Sequence, residues 1–407
     1  MSPAPLRVEP EVGRKGRRAF IDVPYRLNRD EPAWVPPLRM GEAKLMDRRA
    51  NPFFRFGTAQ HFLAWRGSRV VGRVAAIENP RHNEFHEDRI GFFGFFDVES
   101  DPEAAARLVE ATDAWIADRG LGPLRGPVSY TTNDTCGVLI EGFEEPPALL
   151  MPWNRPDYDS LLRGAGLVKA KDLLALHVSA YDPLPERWAR VIQRRMERSS
   201  TVLRRIDLGR FDEERKVLKN LYNRCWERNW GFVPATDAEF EHAADDLKMV
   251  LDANMSSIAM RGEDAVGFSI FLKDINRILL HGPRNGRLFP TLWWKLLRGL
   301  KRPVPTRCVL LGVVPEARGG AIAEAMIAHV RATSRQFQMP FSECGWVLED
   351  NEKMLAPILQ LGGEVRKRYR IYESPTERVR VGLRGEASPS ETAAGGRSPP
   401  GGAPSGP

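Results

Sequence analysis

The hydrophobic and polar positions along the chain form the same succession of predicted elements twice. In the first half, the pattern predicts a strand, a helix and a second strand, at residues 90–98, 102–119 and 126–131. The second half repeats this order at residues 308–314, 320–337 and 341–348. Strands that alternate with helices in this way are typical of α/β domains. The pattern therefore predicts one α/β domain in each half.

Two short sequence correspondences favour a duplication. Residues 64–72 read AWRGSRVVG and residues 259–267 read AMRGEDAVG, and each segment predicts a β-hairpin with a glycine in its turn. Further along each half, Asn154 and Asn351 precede an apolar helical face that ends at a glycine, so both are predicted to begin a helix. Two unrelated α/β domains with chance matches are the alternative.

Composition sets the domain limits and the expected compartment. We predict domains at residues 19–180 and 181–375. Residues 1–18 are polar and basic, and residues 376–407 are nearly free of large apolar side chains, so both ends are predicted to be disordered. No apolar run reaches the roughly 18–20 residues of a membrane span, and the start lacks the apolar segment of a secretory signal. The four scattered cysteines form no CxxC pair, which favours the cytoplasm.

The chain is basic, because 60 Lys and Arg residues against 53 Asp and Glu residues leave a formal net charge of +7. Such an excess suits nucleic acid, an anionic membrane surface or a phosphate-bearing cofactor. No zinc-finger spacing or RNA-binding aromatic signature accompanies the charge, so nucleic acid is not predicted as a partner. Residues 187–205 and 292–302 mix cations with apolar side chains in an interfacial manner. We therefore expect peripheral contact with the inner membrane; amphipathic helices that pack on the core, with their cations solvated, are the alternative.

One predicted strand-to-helix junction suits phosphate binding. After Val313 the chain reads VPEARGGAIA and then enters the predicted helix. Small residues let backbone N–H groups approach a pyrophosphate closely, and the helix directs its positive dipole end at the anion. Coenzyme A contains such a pyrophosphate. An ordinary strand–turn–helix junction is the alternative.

This junction resembles the R/Q-x-x-G-x-G/A signature of the GNAT superfamily of N-acyltransferases, with Arg318 in the first position and alanine where glycine is usual. The following WVLEDNEKM and LGG segments resemble the closing strand–Asn–helix–Gly–strand of a GNAT domain. The resemblance implies acyl-CoA as a co-substrate and no permanently bound cofactor. It also implies that acyl-CoA is bound by Val313, Arg318, Gly319, Gly320, Ala321, Ile322, Ala323 and Asn351.

Five further segments narrow the resemblance. GFFGFFD, GPVSYTTND, GVLIEGFEEPP, NRPDY and NWGFVP look like signatures of bacterial GNAT-like proteins related to the bacterial ceramide synthases. This resemblance implies an α/β fold with mixed (α+β) sheets, built from two tandem GNAT-like domains. It also implies an N-acyltransferase that moves an acyl group, expected to be a long-chain fatty acyl, from coenzyme A to the primary amine of a sphingoid base.

Acylation of an amine needs one group that removes the proton of the amine and another that assists the leaving thiolate. Glu349, Asp350 and Glu343 lie at or near the strand that would face the thioester, so Glu349 is the predicted base, with Asp350 and Glu343 behind it. Helix capping is the alternative for Glu349. In GNAT enzymes a tyrosine acid often lies seven residues after the motif asparagine, but here Ile358 occupies that position. Tyr372 on the last strand is the predicted substitute.

The first half is predicted to receive the amine and not coenzyme A. Its strand is followed by DVESDP, whose acidic residues would repel a pyrophosphate. Polar residues in turn-rich segments are predicted to bind the amine at the inter-domain cleft, namely Asn133, Glu141, Asn154 and Tyr158. A solvated turn is the alternative for Asn133. His82 and His86 lie in a predicted loop without the HExxH spacing, so no metal site is predicted.

Two other functions are open at this point. A tandem-GNAT peptidyl transferase of cell-wall synthesis, which uses aminoacyl-tRNA, would account for the duplication and the basic charge, but not for the coenzyme A loop. A catalytically silent module that binds acyl-CoA or lipid would account for Ala321 and for the missing helical tyrosine. The sequence gives no indication of the oligomeric state.

Overall fold

The alternating strands and helices build one continuous mixed sheet, which contains thirteen strands within the described part of the chain. The structure is a computed structural model, and it describes residues 4–179, 181, 184–226 and 230–375. The tail that is predicted to be disordered, residues 376–407, lies outside the described residues.

The element bounds follow the predicted alternation, except that the strand predicted at residues 126–131 is a short strand at Leu124–Gly126. The strands are Leu6–Pro10 (β1), Thr58–Arg66 (β2), Arg69–Glu78 (β3), Gly91–Val98 (β4), Leu124–Gly126 (β5), Val138–Glu141 (β6), Val168–Ser179 (β7), Thr201–Arg205 (β8), Ser257–Arg261 (β9), Asp264–Lys273 (β10), Thr306–Val313 (β11), Phe341–Leu348 (β12) and Gly363–Glu373 (β13). The α-helices are Gly13–Leu27 (α1), Arg39–Leu45 (α2), Pro80–His86 (α3), Pro102–Ala117 (α4), Tyr158–Gly164 (α5), Glu186–Arg198 (α6), Phe211–Trp226 (α7), Asp237–Leu247 (α8), Asn276–Leu279 (α9), Leu292–Gly299 (α10), Ile322–Gln336 (α11) and Glu352–Gln360 (α12). Short 3₁₀ helices span Pro52–Arg55, Leu208–Arg210 and Pro315–Ala317.

The two halves contribute matching strands to the sheet. Its order is β1-β2-β3-β4-β5-β13-β7-β12-β11-β10-β9-β8, and β6 pairs with β13 outside this path. From either edge inward, three antiparallel pairings are followed by a parallel one, through β1 to β5 in the first half and β8 to β12 in the second. The strand pairing therefore repeats in the same way as the sequence.

The last strand of each half crosses into the other half. β13 pairs with β5 of the first half, with Tyr372 opposite Gly126. β7 pairs with β12 of the second half, from Ser179 opposite Phe341 onward, and the two exchanged strands pair with each other at the centre. The predicted boundary at residue 180 therefore divides the chain but not the sheet, because each half completes its sheet with a strand from the other.

The start of the chain corrects the prediction that residues 1–18 are disordered, although residues 1–3 lie outside the described residues. β1 pairs in register with β2, from Leu6 opposite Arg66 to Pro10 opposite Phe62. α1 follows and buries Phe20 in the core of the first half. An edge strand is secured by backbone hydrogen bonds on one side and needs few apolar side chains. A polar composition therefore did not exclude a strand here.

Local sequence signals placed several element ends correctly. The hairpin turns contain Gly67 and Gly262, whose φ angles of 59° and 62° lie in the left-handed region that glycine tolerates. Asn351 caps α12 by accepting a hydrogen bond from the N–H three residues later, at 3.3 Å. The matching prediction for Asn154 is wrong, because α5 begins only at Tyr158.

The segment with His82 and His86 is helical, which corrects the predicted loop. It forms α3, which Asn79 caps by accepting a hydrogen bond from the His82 N–H at 3.1 Å. The two imidazole centroids are 4.4 Å apart, and His86 Nε2 bonds to the Phe232 carbonyl at 2.8 Å. Over the described ranges, no group of three or more His, Cys, Asp or Glu side chains is placed to hold a metal ion.

Apolar side chains pack on both faces of the sheet. In the first half, Phe20 of α1 and Leu108 of α4 belong to separate buried clusters. In the second half, one large cluster joins the sheet to α7 and α11 and contains Leu221, Phe268 and Met326. None of the helices in the described residues combines the length and the apolarity that a bilayer crossing requires.

Candidate active site

β11 and β12 diverge, and a cavity opens between them. These parallel strands pair only from Thr306 opposite Ser342 to Cys308 opposite Cys344, and both then continue without further pairing to each other. The cavity has a volume of about 350 Å³. This volume lies in the range of about 300–1,000 Å³ that small-molecule sites occupy.

Both halves of the chain line this cavity. The second half supplies the diverging strands, and also Tyr222 of α7, Phe240 of α8 and Met354 of α12. The first half supplies Phe53, Leu150 and the polar turn at residues 131–134. A mostly apolar chamber thus carries polar groups where the first half meets α7 and α8, which suits an amphipathic ligand.

Arg307 lies at the root of the cavity and holds a bulge in β12. The pairing of β12 with β7 shifts in register there, so Gly345 and Trp346 have no partner on β7. The Arg307 guanidinium donates two hydrogen bonds to the Gly345 carbonyl, at 3.0 and 3.2 Å, and another to the Leu149 carbonyl. Burial lowers the pKa of Arg307, while the negative charge of Glu343 opposes this effect. A buried cation therefore fixes the backbone on one wall of the cavity.

An ion-pair network joins β12 to the two exchanged strands. Glu343 of β12 accepts a hydrogen bond from Lys367 Nζ of β13 at 2.8 Å, and its carboxylate lies 3.1 Å from His177 Nε2 of β7. The Glu343 and Lys367 side chains are 1% and 0% exposed. Burial alone would raise the pKa of Glu343, but His177 and Lys367 lower it to about 2. An acid that is paired this firmly serves the structure and is a poor proton acceptor.

The turn that is predicted to bind phosphate leads into α11 without a capping side chain. The exposed Gly319 has a φ angle of 83°, and the 3₁₀ helix before the turn ends one residue ahead of Arg318. The Arg318 guanidinium donates to the carbonyls of Val313 and Cys225, at 3.2 and 3.0 Å. An uncapped helix N-terminus carries a positive partial charge, so the turn suits an anion.

Ala321 is the residue before α11 and has a φ angle of 62°. It is 2% exposed, so its methyl group lies within the protein and not in the solvent in front of the turn. The alanine at the position where glycine is usual therefore does not crowd the solvent side of the turn. Ile322 also packs in the core, and Gly320 and Ala323 are half-buried. The side chains of Ala321 and Ile322 therefore do not cover the solvent side of the turn.

The corresponding cleft of the first half is closed. The chain after β5 stays on β4, where the Val128 N–H donates to the Phe93 carbonyl at 2.7 Å. A Cβ at Gly94 would lie 2.3 Å from the Val128 carbonyl oxygen, so only glycine allows this approach. Asp101 also caps α4 by accepting from the Ala104 N–H at 3.0 Å, which occupies the helix end with a negative charge. These contacts favour the prediction that the first half does not bind coenzyme A.

The polar turn of the first half brings a carboxylate to the cavity. Asp134 Oδ2 accepts hydrogen bonds from the Thr131 hydroxyl at 2.8 Å and from the Thr131 N–H at 3.2 Å. Burial raises the pKa of Asp134 to about 6, although these hydrogen bonds oppose the rise, and the charge of Glu239 adds to it. Glu239 also lines the cavity and pairs with Arg81 at 2.9 Å. Asp134 is therefore an acid whose pKa lies close to neutral pH.

Two curated proteins match nearly the whole chain. The bacterial ceramide synthase of Caulobacter vibrioides is 33% identical over 383 residues, which are 92% of this chain and 97% of that protein. The chain belongs to the bacterial ceramide synthase family. Protein YghO of Escherichia coli is 34% identical over 370 residues, 89% of this chain and 93% of that protein. No protein-family model matches the chain.

Solved structures show the fold of this ceramide synthase family member. A tandem GNAT protein from the clavulanic acid biosynthesis pathway superposes with a TM-score of 0.53 at 14% identity, over 91% of this chain and 98% of that one. The GCN5-related glucosamine N-acetyltransferase region of a fungal β-N-acetylglucosaminidase gives a TM-score of 0.54 at 16% identity, over 92% of this chain and 38% of that one. The predicted tandem GNAT fold is confirmed, as is the prediction of an acyltransferase.

The predicted bases Glu349 and Asp350 do not line the cavity of this family member. Glu349 accepts hydrogen bonds from Lys169 Nζ at 2.7 Å and from the Asp172 N–H at 3.0 Å. Asp350 is 60% exposed and pairs with Lys171 at 2.7 Å. Both carboxylates thus fasten the end of β12 to the start of β7, which corrects their placement at the thioester.

Tyr372, the predicted acid, lies on the wrong face of the sheet. Its hydroxyl donates to Asp159, and its ring packs in the buried cluster that contains Tyr158. The cavity residues Phe53 and Trp346 belong to a different cluster. Burial is the main reason why the pKa of Tyr372 is raised. Its position corrects the prediction of a proton donor.

Of the four residues predicted to bind the amine, the structure places Asn133 at the cavity, where its side-chain oxygen accepts from the Tyr222 hydroxyl at 2.7 Å. Glu141 pairs with an arginine of β13 on the exposed side of β6. The buried Asn154 amide bridges the Leu139 N–H and carbonyl at 2.7 and 3.1 Å. The buried Tyr158 hydroxyl accepts from a backbone N–H of β4 at 3.1 Å. The last three have structural contacts, which corrects their assignment.

Sequence reasoning missed Arg307 and Glu239. Arg307 is the one charged residue in β11, TRCVLLGV, and a cation within an apolar strand was the available signal. Glu239 forms a capping box with Thr236, a pattern that predicts a helix start. The pattern does not indicate that Glu239 also lines the cavity. Asn351 also lines the cavity, in addition to capping α12. Glu239 and Asn351 therefore contribute to the cavity and also cap helices, and only the capping can be predicted from the local sequence.

Proposed function

We propose that this protein transfers a long-chain fatty acyl group from acyl-CoA to the primary amine of a sphingoid base. The observation that carries the proposal is the cavity between the diverging strands β11 and β12, because its apolar chamber also contains the carboxylate of Asp134. The name of the Caulobacter relative, a bacterial ceramide synthase, supports the same reaction class.

In this proposal, acyl-CoA enters along the second half. The backbone N–H groups at the start of α11 receive the pyrophosphate, and Arg318 shapes the turn through its bonds to two carbonyls. The pantetheine arm lies between β11 and β12. The thioester then reaches the bulge at Gly345 and Trp346, whose geometry Arg307 maintains. A fixed bulge lets backbone groups meet the developing oxyanion without reorganisation.

The amine enters from the side of the first half. Its ammonium group is attracted to the ionised Asp134, and its hydrocarbon chain contacts Phe53, Phe232 and Phe240 of the same cavity. Asp134 accepts a proton from the ammonium group, and the neutral nitrogen attacks the thioester carbon. The C–N bond forms as the C–S bond breaks, so the products are an amide, free coenzyme A and one proton. A base with a pKa of about 6 is close to the value that neutral conditions favour.

The test gives the purified full chain palmitoyl-CoA or acetyl-CoA, each with a sphingoid amine, and follows thiol release together with the mass of the amide. We expect release from palmitoyl-CoA that depends on the amine, and weak release from acetyl-CoA because a short acyl group leaves the apolar wall unfilled. An N-acetylated sphingoid base is the matched control and must give no release.

Three results would overturn the proposal. Binding of palmitoyl-CoA without turnover would indicate a silent acyl-CoA-binding module. Amide formation from acetyl-CoA at the same efficiency would remove the long-chain specificity. Turnover with aminoacyl-tRNA in place of acyl-CoA would indicate a peptidyl transferase.

A further inference from the structure

The segment between β10 and β11 differs in charge from the rest of the chain. Residues 275–305 contain seven Lys and Arg residues and no Asp or Glu, although the whole chain has 53 acidic residues. The segment contains α9, α10 and the loops around them. Between β3 and β4, the equivalent place in the first half, the chain forms only the short α3. The second half therefore carries an additional, strongly basic surface.

Aromatic side chains of α10 and of the loop before it are exposed to the solvent, while the opposite face of α10 packs on the protein. Leu292 and Leu296 are buried, and Leu292 packs with residues of α9 and of the N-terminal segment. Phe289 and Trp294 are 64% and 66% exposed. The Trp293 ring stacks on Phe289, with centroids 5.8 Å apart. Large aromatic rings at such exposure on an anchored helix mark an interaction surface.

Two of the basic residues serve the fold, and the others remain exposed. Arg284 donates to backbone carbonyls of the N-terminal segment, among them Pro32 and Trp34 at 2.9 and 3.0 Å. Arg277 pairs with Asp274 at 3.3 Å. The exposed cations within 13 residues of the aromatic rings along the same segment are Arg287, Lys295, Arg298, Lys301 and Arg302. Rings flanked by cations, with no acidic residue in the same segment, match the interface of an anionic bilayer.

The root of this segment adjoins the cavity. Asp274 accepts a hydrogen bond from the Leu149 N–H at 2.9 Å, and the Asn276 side chain donates to the Pro147 carbonyl at 3.1 Å. Leu150, which follows Leu149 in the chain, is 45% exposed and lines the cavity. An apolar ligand released at this basic segment would thus meet the cavity rim at Leu150, because the start of the segment is bonded to the residues just before it.

We propose that Phe289, Trp293, Trp294 and the five surrounding cations form a docking surface for an anionic phospholipid bilayer. The rings enter the interface and the cations contact the lipid phosphates. The role of this surface in substrate delivery rests on the proposed function, but the binding itself does not. α6 is the other basic helix, and its apolar residues Ile192 and Met196 face the core, so it offers cations without exposed rings.

The test measures sedimentation of the full chain with phosphatidylcholine vesicles that do or do not contain phosphatidylglycerol, without acyl donor or amine. We expect binding that requires the anionic lipid and weakens with salt. Lys301→Gln with Arg302→Gln is expected to weaken binding about 30-fold, since each cation near an anionic surface contributes about fivefold. Arg194→Gln with Arg195→Gln on α6 removes the same charge from exposed positions and is the matched control.

A second measurement does not depend on charge. Brominated lipid chains are expected to quench tryptophan fluorescence of the wild type, and Trp294→Phe should lower this quenching while sedimentation persists, because Trp293 remains in the interface. Trp294 is largely exposed, so this variant should fold normally.

Three outcomes would overturn the proposal: equal sedimentation with neutral and anionic vesicles, the same loss of binding in the α6 control, or binding of tRNA without binding of vesicles. Each is independent of turnover. If the vesicle experiment succeeds and amide formation fails, the proposed function is wrong and the docking surface stands.

Discussion

Asp134→Asn is expected to lower activity and to raise stability in the same protein. Burial raises the pKa of Asp134 from 3.8 to about 6, so the ionised carboxylate disfavours folding at neutral pH. A rise of this size corresponds to about 3 kcal/mol. The side chain is partly exposed and asparagine replaces the hydrogen bonds to Thr131 imperfectly, so we expect a gain of about 1–2 kcal/mol in the free energy of unfolding.

The effect of pH on this gain has a definite sign. An acid with a raised pKa in the folded state costs stability above that pKa, where it is ionised in both states. The cost disappears as the pH falls below the unfolded value, where it is protonated in both. The advantage of the Asp134→Asn variant over wild type should therefore be full above about pH 6 and vanish as the pH falls below 3.8.

Urea unfolding at neutral pH and at about pH 4 measures the stability change. Initial rates with acyl-CoA and the amine measure kcat/KM, which should fall about 10²–10⁴-fold when a general base is lost. The wild-type rate should rise with pH through about 6, and the variant should lack this rise. Asp350→Asn, a change at an exposed ion pair, is the matched control and should alter neither quantity much. Unchanged activity, or lower stability at neutral pH, would refute the assignment.

Two further substitutions test the loop and the network. Ala321→Gly should leave the KM for acyl-CoA unchanged. Its stability change should stay below about 1 kcal/mol, because relief of the positive φ offsets the loss of a buried methyl group. A lower KM would show that the methyl group obstructs the ligand. Glu343→Gln should lower the free energy of unfolding by about 3–5 kcal/mol because it strands the buried Lys367, and Lys367→Met in addition should restore most of it. In urea unfolding, Glu141→Gln at an exposed pair is the control, and an equal effect there would contradict this reasoning.

The sequence predicted the elements well because their signals are local. Hairpin glycines, strand alternation and the cap at Asn351 depend on residues within a few positions. The exchange of β7 and β13 depends on which distant strand each one meets, and an apolar strand has the same pattern beside either neighbour. The order of the sheet was therefore beyond reach, and so was the exchange of strands across the boundary at residue 180.

The site was predicted in part for the same reason. The turn that is predicted to bind phosphate is a local motif, and the structure has a turn at this place, between β11 and α11; the binding of phosphate there stays a prediction. The prediction for Tyr372 failed because the sheet face on which its side chain lies is set by the pairing of β13 with β5 and β7, not by the sequence pattern of β13. Arg307 was missed because a cation in an apolar strand becomes meaningful only when the carbonyls of Gly345 and Leu149 are seen beside it.

The two copies of the fold differ most where each strand enters its helix. In the first copy, Asp101 caps α4 and binds Arg66, so the helix end is neutralised by the chain itself. In the second copy, Ala321 stands at the same place and leaves the first N–H groups of α11 without a side-chain partner. If the second copy alone receives the acyl donor, the first is free to present its polar turn with Asp134 to the opposite side of the cavity. Because β7 and β13 are exchanged, the two copies share one sheet, and elements of both line the cavity. Duplication with strand exchange thus brings both copies of the fold to one cavity.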